Sequence, residues 1–313
     1  MLPRVAVLMG GTSQEREISI KSGKAVAEAL RSIGYPVVEV VLNYEDLREL
    51  EGLEFDVAFV ALHGGFGEDG RLAALLEERG IPYTGSGPEA GRLAMDKVAA
   101  KRIFDAFGIP TPPYLVMNDS LTASDMDWFV RSELGGYPVV VKPSNGGSSI
   151  GVEVVDTRSG LADAVSSALR FSSRVLVEKF IKGRELTCAI LENRPLPLIE
   201  MRVARLFFDY RAKYCDPATQ YIVNPDIEPR LYRLCQEAAL CAHIAVGARD
   251  FSRVDLILSD GRPYILEVNT IPGLTARSLL PKAAAAVGYD FPNLCKRMVD
   301  LALRRAKWKS QTA

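Results

Sequence analysis

Cysteine is scarce and unevenly placed in this 313-residue chain: five residues, at positions 188, 215, 235, 241 and 295, with no Cys-x-x-Cys pair and none before Cys188. Such spacing supplies neither a disulfide framework nor a zinc site, so the cysteines read as packing residues. Histidine is rarer still, limited to His63 and His243. No apolar run reaches the roughly 20 residues that a membrane-spanning helix needs. The apolar stretch at residues 5–9 is too short and wrongly flanked for a secretory signal, which makes a cytoplasmic protein the expectation. An excess of one charge sign is missing too. A formal net charge of -1 offers no global field for nucleic acid or an anionic membrane, so neither is an expected partner and any phosphate site must be built locally. Internal repeats, low-complexity tracts and the GxxxxGK[ST] phosphate loop are also absent.

What is present is an ordinary globular composition, 48% hydrophobic and 25% charged. The length exceeds what one core typically supports, so two or three compact units are expected. Residues 5–9 form a short apolar run ending in Gly10-Gly11, followed by a helical pattern through Ile18, Val26, Leu30 and Ile33. Residues 37–42 and 57–62 read as further buried strands, with one helix after Gly70 and another over about 88–107. Strands alternating with helices imply an open parallel sheet. The segment 108–113, with prolines at 110, 112 and 113, cannot continue a helix and marks a unit boundary near 95–113.

A smaller α+β unit follows, with strands at 137–142 and 175–180, a Gly/Ser turn at 145–151 and a helix near 161–171. Beyond it, 186–191 and 196–203 suggest paired strands, whereas the polar, aromatic stretch 207–223 has no clear period and reads as a long functional loop. A helix near 229–246 precedes strands at 253–258 and 263–268, which Asp260-Gly261 joins as a hairpin; the C-terminus is helical. The expected architecture is α/β plus α+β, divided at 1–95, 96–182 and 183–313.

The closing hairpin carries the most specific chemistry. Residues two apart on a strand share a face, so Arg253 and Asp255 lie together, as do Glu267 and Asn269 on the partner strand. Val254, Leu256, Leu266 and Val268 are expected on the opposite face. Three hard oxygen ligands without His or Cys suit Mg²⁺ beside nucleotide phosphates; a solvated polar face is the alternative. The second signal is Lys142 at a strand end, followed by Asn145-Gly146-Gly147-Ser148-Ser149. Such a turn can aim backbone amides at phosphate, and it is equally compatible with a plain hairpin turn. The third is Gly10-Gly11-Thr12-Ser13-Gln14-Glu15 at the carboxyl end of the first strand, where open sheets bind ligands; a helix start capped by Ser13 fits as well. His63, at a strand end beside Gly64 and Gly65, and His243, in an apolar helix, both read as structural. Glu178 and Glu185 flank a strand end, which by itself means little.

Taken together, these segments resemble the D-alanine:D-alanine ligases of the ATP-grasp superfamily over nearly the whole chain. The matching pieces are Gly10 to Ser19, Leu62 to Gly65, Tyr83 to Gly87, Met95 to Lys97, Lys142 to Gly151, Asp209 to Tyr214, Arg253 to Asp255 and Glu267 to Gly273. The resemblance implies an N-terminal preATP-grasp domain followed by a two-subdomain ATP-grasp fold. Lys97 and Lys142 would contact ATP phosphates, Glu178 the adenine amino group, Lys179 and Ile181 the ring edge, and Glu185 the ribose. Asp255, Glu267 and Asn269 would hold two Mg²⁺ ions, or Mn²⁺ in their place.

Arg253 and Gly273 would stabilise an oxyanion, while Glu15, Ser148 and Tyr214 would form a triad that anchors the first D-alanine and closes the 207–223 lid. His63, Lys213, Ser278 and Leu279 would contact the amino acid substrates. The implied product is D-alanyl-D-alanine for peptidoglycan precursors, made by a homodimer. D-serine or D-lactate as second substrate, or another carboxylate-amine ligation, are the alternatives. Arg211, Gly146 and Arg277 depart from residues common in relatives.

Overall fold

The computed structural model describes residues 1–147, 150–202, 220–275 and 277–312. Ser148, Lys213, Tyr214 and most of the expected lid lie outside the described residues.

The chain opens with strand β1 (Val5–Gly10), helix α1 (Arg16–Ser32), β2 (Val37–Leu42) and β3 (Val57–Val60), which pair in parallel in the order β2-β1-β3. Every residue of β1 is buried, as a strand covered on both faces requires. Helix α1 lies directly on this strand because Gly23 leaves room for Met9, whose Cβ is 2.5 Å from where a Gly23 Cβ would stand. Helices α2 (Arg71–Glu78), α3 (Pro88–Met95) and α4 (Lys97–Ala106) follow. The single helix expected over 88–107 is therefore two. The break is at Asp96, which is extended and whose side chain accepts the Val98 and Ala99 amides to cap α4.

The second unit is an antiparallel sheet ordered β4-β7-β5-β6, from β4 (Tyr114–Met117), β5 (Val139–Pro143), β6 (Glu153–Val155) and β7 (Val175–Lys179). Helices α5 (Ala123–Glu133) and α6 (Arg158–Leu169) cover one face, packing Val130, Leu161 and Val165 on Val139, Val141, Val175 and Val177. Strand alternation then sends Val140, Lys142 and Glu178 to the other face.

The third unit is ordered β11-β10-β8-β12-β13, with β9 paired to β8. Its strands are β8 (Arg184–Leu191), β9 (Arg194–Pro195), β10 (Ile199–Arg202), β11 (Gln220–Val223), β12 (Phe251–Ser259) and β13 (Arg262–Asn269). The expected lid is shorter than 207–223 at its far end, because residues 220–223 pair antiparallel with β10. Asp260 and Gly261, at φ 48° and 73°, make the hairpin turn between β12 and β13. Helix α7 (Pro229–Ala245) packs Cys235, Ala238 and Ala242 on Leu186, Val254, Leu256, Ile265 and Val268.

One expectation about this hairpin fails. The register slips after Asp255, so Glu267 faces Asp255 while Ile265 faces Leu256. Leu266 is the extra residue of a bulge; Ile265 takes the core position, and Leu266 turns to a cavity between the sheets.

Helices α8 (Leu279–Ala285) and α9 (Phe291–Thr312) return to the first sheet, where Leu280, Leu294, Met298 and Val299 share a core with Val5, Val7, Met9 and Leu30. Among the described residues, no helix is long and apolar enough to cross a membrane.

His243 is structural, as its surroundings in the sequence suggested. It is fully buried, with Nδ1 2.7 Å from Ser252 Oγ and Nε2 3.1 Å from Asn193 Oδ1. Burial lowers its pKa from 6.5 to about 4. The unfolded chain therefore takes up this proton first: the stabilisation is complete above about pH 6.5 and is lost as pH falls through about 4. On the order of 3 kcal/mol should disappear across that window. Urea unfolding of the protein and of His243→Gln should show a shallower acid slope in the variant; equal slopes would rule out His243 as the titrating group.

Candidate active site

The second and third units face each other across a cavity of about 610 Å³. Lys97, Lys142, Glu178, Lys179, Ile181, Glu185, Asp255 and Glu267 all line it. These eight positions, scattered over 171 residues of sequence, are brought to one place by two facing sheets and by the start of helix α4.

One wall is built on β5 and β7, where Val140 pairs with Glu178 and Lys142 with Leu176. Glu178 is 2% exposed, and Lys142 Nζ lies 2.5 Å from its Oε2. Lys101, which the sequence reading missed, pairs with the other carboxylate oxygen. Burial alone would raise the Glu178 pKa, but the charges of Lys101 and Lys142 outweigh it and hold the carboxyl below its usual range. Lys101 is pulled down to about 8 by its burial, against the opposing influence of Glu178. The sequence did carry a signal for it: Lys101 stands one helical turn after Lys97, on the same side of α4.

Lys97 is placed by the break in the helix. Asp96 Oδ1 caps α4 and accepts from Ser144 Oγ at 2.8 Å, while its Oδ2 accepts from Arg174 at 2.7 Å. The Lys97 amide bonds to Ser144 O at 2.8 Å, so the start of α4 is fastened to the end of β5. From there Lys97 Nζ donates to Gly146 O at 2.7 Å and lies 3.3 Å from Glu267 Oε2. A lysine thus spans the glycine turn and the closing hairpin.

On the opposite wall, Thr187, Asp255 and Glu267 stand abreast on β8, β12 and β13. Asp255 accepts Thr187 Oγ1 at 2.7 Å and a fork from Arg253, Nε to Oδ1 at 3.0 Å and Nη2 to Oδ2 at 2.9 Å. Asn269 Nδ2 lies 3.3 Å from Asp255 Oδ2. Two carboxylates and one amide oxygen have the chemistry to hold a divalent cation; among the described residues no group of three or more His, Cys, Asp or Glu side chains does so. Apolar Val140, Ile150, Val152, Phe180, Met201 and Leu266 fill in the cavity walls. The bulge that exposes Leu266 was not predictable from strand alternation.

A second cluster adjoins this cavity. Glu15 Oε2 lies 2.6 Å from where a Gly64 Cβ would stand and 3.0 Å from the corresponding point at Gly147, so it is held between the first unit and the glycine turn. His63 is 5% exposed; its Nε2 is 3.0 Å from Ser22 Oγ and its Nδ1 3.2 Å from Ile271 O. Ser22 also accepts the Leu274 amide at 3.5 Å, which fastens the segment holding Gly273 to α1. A Cβ at Gly273 would meet Ser278 Oγ at 2.9 Å, and Ser278 precedes α8 with Leu279 as its first residue. Ser22, buried inside an amphipathic helix, gave no sequence signal.

A parallel-sheet unit followed by two sheets that close on a lysine- and carboxylate-lined cavity defines the ATP-grasp class, preceded by its preATP-grasp domain. Comparison with known proteins narrows this. The families described as D-ala D-ala ligase C-terminus and D-ala D-ala ligase N-terminus match residues 103–300 and 45–86. The D-alanine–D-alanine ligase of Desulforudis audaxviator is 47% identical over 97% of this chain and 100% of its own, and that of Anaeromyxobacter sp. Fw109-5 is 45% identical over 97% and 98%.

Among solved structures, the D-alanine–D-alanine ligase of Bacillus anthracis complexed with ATP has TM-score 0.86 at 35% identity, covering 98% of this chain and 99% of that one. The VanG D-Ala:D-Ser ligase of Enterococcus faecalis has TM-score 0.83 at 26% identity, covering 96% and 100%. The chain belongs to the D-alanine–D-alanine ligase family.

The Asp96 clamp is testable by stability. Asp96→Ala should cost about 1–2 kcal/mol in urea unfolding, whereas Asp96→Asn, which can still cap α4, should lose less. Equal losses would show that the cap does not set the helix break.

Proposed function

We propose that the protein joins two D-alanines into D-alanyl-D-alanine at the expense of ATP, supplying peptidoglycan precursors in the cytoplasm as a homodimer. The observation that carries this reading is the meeting of Lys97, Lys142, Glu178, Glu185, Asp255 and Glu267 in one cavity, within a chain 47% identical to a D-alanine–D-alanine ligase along its length.

In this reading the adenine ring lies between Val140, Met201 and Leu266, its amino group on Glu178 and its edge on the backbone of Lys179 and Ile181. Glu185 takes the ribose. Lys97 and Lys142 take the phosphates, assisted by the amides of the glycine turn. The donor chemistry of Asp255, Glu267 and the Asn269 amide fits Mg²⁺, with Mn²⁺ as a substitute. Bound there, two such ions would neutralise the negative charge that gathers on the phosphates during transfer.

The first D-alanine carboxylate attacks the γ-phosphorus, ADP leaves, and an acylphosphate forms. The amine of the second D-alanine then attacks the acyl carbon and gives up a proton, the C–O bond to the phosphorus-bearing oxygen breaks, and phosphate departs with that former carboxylate oxygen and the bonding electrons, so a poor electrophile is exchanged for a good one. Arg253, its guanidinium plane fixed by the fork to Asp255, and the Gly273 amide face the oxyanion of the second step. Glu15 anchors the ammonium of the first D-alanine, together with Ser148 and Tyr214. His63 orients that substrate, Ser278 and Leu279 receive the carboxylate of the second, and Lys213 is a further substrate contact. The lid keeps water from the acylphosphate.

Purified protein with ATP, Mg²⁺ and D-alanine should release phosphate and form the dipeptide, and L-alanine should not replace D-alanine. A panel with D-alanine, D-serine and D-lactate, read by product mass, tests the second substrate; a D-serine or D-lactate product in excess of the dipeptide would overturn the assignment.

Glu267→Gln should cut turnover by about 100-fold or more and raise the Mg²⁺ concentration needed for half-maximal rate, with an unchanged circular dichroism spectrum. Undiminished turnover at limiting Mg²⁺ would remove Glu267 from the metal set.

A further inference from the structure

Lys101 is a fully buried lysine. It forms an ion pair with Glu178 Oε1 and donates to Thr111 Oγ1 at 2.6 Å and to Pro112 O at 3.3 Å. The Tyr114 ring lies 5.4 Å away on another side. Thr111 Oγ1 in turn donates to Ile265 O at 2.7 Å, so the lysine's seat is tied to β13 of the opposite wall. With the Glu178 carboxylate, the Thr111 hydroxyl and the Pro112 carbonyl around it and no solvent exposure, the Lys101 ammonium is enclosed where it stands.

Lys142 differs. It grips the other oxygen of Glu178 from a side chain that is 12% exposed, and it lines the cavity next to the glycine turn. If Lys142 turns to phosphate when nucleotide enters, as the functional reading above requires, Glu178 loses one of its two cations inside a closed cavity. A carboxyl in that position takes up a proton unless another positive charge stays beside it. A protonated carboxyl would then present a donor where an adenine amino group needs an acceptor.

We propose that Lys101 is the positioning residue that holds Glu178 as an aimed carboxylate while Lys142 serves the phosphates, and that it thereby sets the preference for a 6-amino purine nucleotide. This rests on Glu178 meeting the base. Inosine nucleotides discriminate well, because they carry a carbonyl oxygen where adenine has its amino group. The carboxylate repels that oxygen, and a protonated carboxyl would donate to it.

The test compares ATP with ITP in turnover, and ADP with IDP in calorimetric binding, for the protein, Lys101→Met, Glu178→Gln and the double variant. Lys101→Met should raise KM for ATP about tenfold, keep kcat at saturating ATP within about threefold, and compress the ATP:ITP ratio of kcat/KM by at least about tenfold. Glu178→Gln should compress the same ratio, and adding Lys101→Met to it should change the ratio no further, because the lysine acts through the carboxylate.

An unchanged ratio in Lys101→Met beside a compressed one in Glu178→Gln overturns the proposal and leaves the base contact standing. An unchanged ratio in Glu178→Gln overturns the base contact itself. Additive effects in the double variant assign Lys101 a merely structural role. For a Lys101→Met protein that does not fold, Thr111→Val carries the same comparison, since it removes the hydroxyl that seats the ammonium. Compression abolished in the Glu178→Gln background supports the proposal; no compression refutes it.

Discussion

A carboxylate enclosed between two β-sheets stays charged only where cations are enclosed with it. Glu178 meets that condition through Lys101 and Lys142, and much of the site follows from it. Burial alone would neutralise the carboxyl, and the paired lysines reverse that outcome. The two cations are not equivalent. One is locked among Thr111, Pro112 and Tyr114, and the other borders open cavity. An asymmetric pair of this kind keeps one charge enclosed and leaves the other at the cavity, where the proposed function has it meet phosphate.

The same economy appears at the opposite wall and at the glycine turn. Asp255 is held in one orientation by Thr187 and by the Arg253 fork. Lys97 contacts both the turn, at Gly146, and the hairpin, at Glu267. Its position depends on Asp96, which breaks the helix and fastens the break to Ser144 and Arg174. Glu15 and His63 reach the same region from the first unit, and Ser22 binds the segment around Gly273 to them.

Much of this was legible from local pattern. The first strand and its glycine turn, the Asp260-Gly261 hairpin and the buried faces of the main helices follow from periodicity and turn chemistry, which act over a few residues. The failures share a cause. Asp96 is tolerable inside a helix, and it becomes a break because Ser144 and Arg174, distant in sequence, hold its carboxylate. Leu266 follows strand alternation until a bulge, set by pairing with β12, turns it outward. Residues 220–223 look like loop until β10 supplies a partner. The spacing of Lys101 from Lys97 puts it on the same side of the helix, but its burial beside Glu178 comes from residues distant in sequence.

Near neighbours in the chain specify the kinds of chemistry available: a strand-end lysine before a glycine turn, and two carboxylates with an amide on a hairpin, each set within a few positions. Which of these groups share a cavity, and which charges are buried together, is set by contacts between residues far apart in the chain. That decision belongs to the packing of sheet on sheet, where the cost of an unpaired buried charge exceeds any local preference and selects the partners that the chain must bring from far away.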